Sequence, residues 1–144
     1  MNEKYQNNEY DGWLMKNSTP LHFPSRYGHI SVVEYLVNQK ADIDAKDKDD
    51  LTPLHYAAEN GHLSVVEYLV NQKADINVKA KEDWTPLHYA ANNGHLSVVE
   101  NLFIQKADIN AQASGYPSGT PLIILIPASI LSLSPFSFSE YIIY

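Results

Sequence analysis

The chain contains no cysteine in its 144 residues. That excludes disulfides, thiolate zinc sites and a cysteine nucleophile, and it fits a reducing compartment. Cations are scarce and stop early. Ten Lys and Arg stand against 17 Asp and Glu, giving a net charge of −7, and none lies beyond Lys106. Such an acidic balance argues against a binder of nucleic-acid phosphates. The opening MNEKYQNNEYDGW has neither the apolar core of a secretory leader nor an Arg-rich targeting pattern, so a cytoplasmic location is expected. Glycine is sparse as well, yet Gly28, Gly61 and Gly94 recur at one spacing. With 44% apolar residues, the chain still has enough material for a buried core.

That spacing is 33 residues. TPLHYAAENGHLSVV begins at Thr52 and TPLHYAANNGHLSVV at Thr85, with one residue changed; a looser copy, TPLHFPSRYGHISVV, begins at Thr19. A catalytic motif is seldom copied with its scaffold, whereas a stacking unit must be. Each copy reads as helix, turn, helix and an extended finger. Thr52 is suited to the N-cap and Pro53 to the first helical position. Leu54, Ala57 and Ala58 form a short apolar stripe of partly small residues, and Gly61 supplies a left-handed stop. In the second helix Leu63, Val66 and Val70 fall at i, i+3 and i+7, with Val65 and Leu69 beside them. That face is too wide to be buried within one unit, so stacking against equivalent neighbours explains the period.

The motif resembles the ankyrin repeat: Thr52-Pro53-Leu54-His55, Ala57, Ala58, Gly61, His62 and Ala74-Asp75-Ile76-Asn77, matched at Thr85–His88, Ala90, Ala91, Gly94, His95 and Ala107–Asn110. The resemblance covers about residues 18–110. It implies an all-α solenoid of stacked helix-turn-helix units with short β-hairpin or loop fingers. The chain divides into a polar arm (1–17), a repeat with a degenerate first helix (18–50), a second repeat (51–83), a third with an extended finger (84–118), and a degenerate fourth repeat or apolar tail (119–144). Three departures from the family pattern stand out. Lys40, Lys73 and Lys106 replace the usual glycine, at a cost of about 1 kcal/mol each if φ is positive there. Asn17, Asp50 and Asp83 replace glycine at the finger tips, which is milder. Pro24-Ser25 replaces Ala-Ala, and a proline inside the helix predicts a bent or frayed start.

Other chemistries fit poorly. His22, His55 and His88 form one column and His29, His62 and His95 another, but equivalent positions in a stack stand about 10 Å apart. Zinc ligands must converge on one ion, so no metal site and no cofactor are expected. Asp47, Asp49, Asp50, Glu82 and Asp83 read as solvated finger acids; KDKDD lacks the glycine and distal glutamate of a calcium loop. Ser64 and Ser97 have no acid–base partner at useful spacing, so no catalytic residue is assigned and an enzyme is not expected. The stretch 121–138 is apolar but interrupted by three prolines, without flanking cations, and falls short of a membrane span.

If the constant letters serve stacking, recognition belongs to the letters that vary. These are Lys46, Lys48, Asp49 and Leu51 on one finger and Lys79, Lys81, Glu82 and Trp84 on the next. On the first helices they are Glu59, Asn60, Asn92 and Asn93, with Tyr56 and Tyr89 in an aromatic column. The residue before each TPL changes from Ser18 to Leu51 to Trp84, and Trp and Tyr are common interface anchors. The expected function is a monomeric, non-catalytic module that binds a protein partner through its concave finger and first-helix surface. The alternative is the repeat segment of a larger enzyme, effector or tail-anchored membrane protein, which the unsealed ends of the array favour.

Overall fold

The computed structural model describes residues 17–114. Within them six helices follow in pairs: α1 (His22–Tyr27), α2 (Ile30–Asn38), α3 (Pro53–Glu59), α4 (Leu63–Asn71), α5 (Pro86–Asn92) and α6 (Leu96–Ile104). α1, α3 and α5 pack side by side as one layer, and α2, α4 and α6 form a second layer behind them. The core runs between the layers. It is built from equivalent side chains, with Leu21, Leu54 and Leu87, then Val33, Val66 and Val99, then Leu69 and Leu102, all buried. Ala57, Ala58, Ala90 and Ala91 are buried as well, and their small size lets the first helices approach closely. The polar arm (1–16) and the apolar tail (115–144) lie outside the described residues, as do the expectations that fall on them. Among the described residues no helix is long and apolar enough to cross a membrane.

Local sequence sets where the helices begin. Thr52 and Thr85 are the N-caps of α3 and α5, each followed by proline, and each closes a capping box with the histidine three residues on. α1 starts two residues later than its counterparts. Pro24 has no N–H to offer the Pro20 carbonyl, so the chain enters α1 through a tighter bond from His22 N–H to Thr19 O at 3.1 Å. Ser25 Oγ then donates back to Leu21 O at 2.8 Å.

The three substituted glycine positions keep the left-handed conformation: Lys40, Lys73 and Lys106 have φ of 68°, 72° and 66°. The same holds at the tips, where Asn17, Asp50 and Asp83 have φ of 62°, 60° and 60°. The fingers are loops, and no strand occurs among the described residues. A single backbone bond closes each neck, from Asp47 N–H to Leu51 O at 3.0 Å and from Ala80 N–H to Trp84 O at 2.8 Å.

Candidate partner-binding surface

Constant histidines fasten the repeats together. In the first column, Thr52 N–H donates to His55 Nδ1 at 3.1 Å, which leaves the proton on Nε2; that nitrogen donates to Trp84 O in the next repeat at 3.1 Å. His22 does the same between Thr19 and Leu51 O. His55 is fully buried, and burial holds its pKa down at about 4, so the ring is neutral. In the second column, His62 Nε2 donates backward to Arg26 O and His95 Nε2 to Glu59 O, both at 2.9 Å. These rings lie against the glycines of the preceding turn. A Cβ on Gly28 or Gly61 would sit 2.6 or 2.5 Å from the imidazole, so the close approach requires glycine as much as the positive φ does. His22, His55, His62 and His95 are thus used as joints, with His22 and His55 engaged at both nitrogens.

The fingers are organised by a residue whose role the sequence reading missed. Asp47, read there as a solvated tip acid, is 6% exposed. Its Oδ1 accepts from the Asp49 and Leu51 backbone N–H groups at 2.8 and 2.9 Å, and its Oδ2 accepts from the Tyr56 hydroxyl at 2.7 Å. Tyr56, offered by the sequence as a contact residue, is 5% exposed with its ring edge-on to His22. It braces the first finger and is unavailable to a partner. The signal was present as a break in the repeat, because position 47 is Asp in one copy and Ala80 in the next. Without that carboxylate the second finger folds differently. Lys81–Asp83 make a 3-10 turn in which Glu82 and Asp83 both take φ of 60°. Tyr89, the counterpart of Tyr56, has no aspartate for its hydroxyl and is partly exposed.

Several variable finger residues link neighbouring fingers. Lys81 Nζ meets Asp49 Oδ1 at 2.7 Å, and Lys46 Nζ donates to Lys79 O at 3.1 Å. Lys79 lies 3.5 Å from Asp83, and Lys48 lies 3.8 Å from Asp49. Ser114 continues the series, donating from its N–H to Glu82 O at 2.7 Å and from its hydroxyl to Asp83. Asn60 and Asn93 each donate a side-chain amide to the carbonyl of Tyr56 or Tyr89 at 2.8 Å, tightening the helix ends.

Between the second finger and the α3–α5 face opens a groove of about 480 Å³. Its lining is Asp49, Leu51, Glu59, Lys81, Glu82, Trp84, Tyr89, Asn92 and Asn93. All nine belong to the variable set singled out in the sequence. Lys46, Lys48, Lys79, Asn60 and Tyr56 from that set stand outside it. The Trp84 ring lies 5.0 Å from Tyr89 and 5.8 Å from His88, centroid to centroid. Its backbone carbonyl is the acceptor for His55. The joint therefore uses main chain at this position, which is why the side chain is free to differ between copies.

Comparison with known families agrees with this architecture. A model described as ankyrin repeats in three copies matches residues 2–80 and 21–113. The chain belongs to the ankyrin-repeat family.

Proposed function

We propose that this protein is an interaction module that binds a protein partner through the groove between its second finger and the α3–α5 face. Ankyrin repeats in general mediate protein–protein interaction and are typically non-catalytic. One observation supports the choice of surface: six of the nine groove residues fall at positions where the second and third repeats differ, Asp49/Glu82, Leu51/Trp84 and Glu59/Asn92, while the residues common to the copies are largely consumed by the core and the histidine joints. Trp84 and Tyr89 supply large amphipathic contact area, the first at the base of the second finger and the second on α5.

The test is affinity capture from cell extract by the intact chain and by its Trp84→Ala variant, with circular dichroism as the control for folding. At least one protein should be captured about tenfold less by the variant, whose helicity stays that of the parent. Equal capture by both would overturn the assignment of this surface.

A further inference from the structure

The groove has a charge character of its own. Its one cation, Lys81, is already held by Asp49 at 2.7 Å. Glu59 and Glu82 also line it, and among the described residues neither has a cation within ion-pair distance. Trp84 and Tyr89 line it with them, and an aromatic face is electron-rich. Asn93 spends its amide N–H on the Tyr89 carbonyl, so its side-chain oxygen remains to accept. Asn92 brings a second amide to the same lining. The phenol of Tyr89 registers this environment: its pKa is pushed up by burial first, then by the fields of Glu59, Glu82, Asp47 and Asp49.

An anionic segment entering here would meet uncompensated carboxylates. A purely apolar one would strip water from Glu59 and Glu82 with nothing to replace it, which is costly. Resting on the reading of the groove as a partner site, we infer that it takes a cationic side chain of the partner protein, an arginine in preference to a lysine, laid against Trp84 and Tyr89 with its donors on Glu59 and Glu82. A guanidinium is flat enough to stack on an indole or phenol. It carries five N–H groups for acceptors spread over carboxylates and amides, and it sheds water more readily than an ammonium. The net charge of −7 adds a long-range attraction for basic segments that weakens with salt.

The experiment is selection of a randomised 12-residue displayed peptide library on the intact chain. The recovered peptides are then measured by fluorescence polarisation against the parent, Trp84→Ala and the double variant Glu59→Gln/Glu82→Gln. The expected result is peptides that share an arginine and bind the double variant at least about tenfold more weakly. Their affinity should fall as salt rises, and replacing the arginine by lysine should weaken them severalfold. Peptides lost with Trp84→Ala yet lacking a cation, or indifferent to the double variant, would overturn this inference and leave the groove standing as the partner site. Lysine binding as well as arginine would refute the preference alone. Peptides unaffected by all the variants, or no groove-dependent peptide at all, would overturn both the inference and the reading beneath it.

Discussion

Val32 and Val65 occupy the same place in consecutive repeats, yet Val32 is 47% exposed and Val65 is fully buried. Phe23 and Tyr56 differ in the same way, at 54% and 5%. For the valines nothing in the local sequence accounts for this, since SVVEYLVNQKADI is identical in both copies. The difference lies in neighbours. The second repeat is covered on one side by α1 and α2 and on the other by α5 and α6, while the first has a described neighbour on one side only. Burial in this molecule is thus a property of position in the stack, and stability resides at the junctions between units.

The contrast can be broken most severely with one substitution made twice. Val65→Asp puts an unpaired carboxylate into the junction and should cost more than about 4 kcal/mol, enough to abolish a cooperative urea transition. Val32→Asp should shift the midpoint by no more than about 0.5 kcal/mol. Similar losses at both sites would show that the outer face of the first repeat is covered in solution.

Acid attacks the second junction through His55. Its folded pKa of about 4 lies below the ordinary value near 6.5, so between those limits the unfolded chain binds more protons than the folded one. Stability is complete above about pH 6.5 and is lost as pH falls toward 4, by roughly 3 kcal/mol for this group. His88, also lowered by burial, adds in the same direction. Urea midpoints at pH 7, 5.5 and 4 measure the slope. A His55→Gln variant, which cannot take up a proton, should flatten it.

Smaller effects make the repeats more alike. Pro24→Ala restores a donor for the Pro20 carbonyl and should stabilise by about 2 kcal/mol, visible as a rise in melting temperature. Lys73→Gly relieves a lysine held at φ 72° and should add up to about 1 kcal/mol, read from the unfolding midpoint. The same change at Lys40 should give a like increment, because φ is 68° there.

Sequence alone displays the repeat, the helix pairs, the caps at Thr52 and Thr85 and the groove residues, because period and capping chemistry are local signals. It also points to strain at the substituted glycines. Asp47 escapes that reading because composition around it is that of a solvated tip; only folding turns its carboxylate inward onto Tyr56. Tyr56 and Tyr89 show the same limit. Two tyrosines in one column look equivalent until an aspartate nine residues upstream of one, and an alanine upstream of the other, separates a buried brace from a partly exposed groove wall.

Both sets of histidine fastenings end on main-chain oxygens: those of Leu51 and Trp84 going forward, those of Arg26 and Glu59 going back. Every residue supplies such an oxygen, whatever its side chain. The exterior can therefore be rewritten letter by letter, from leucine to tryptophan or arginine to glutamate, while each coupling keeps its grip. New specificity in this scaffold is a matter of changing what is displayed, with no need to redesign how the pieces join.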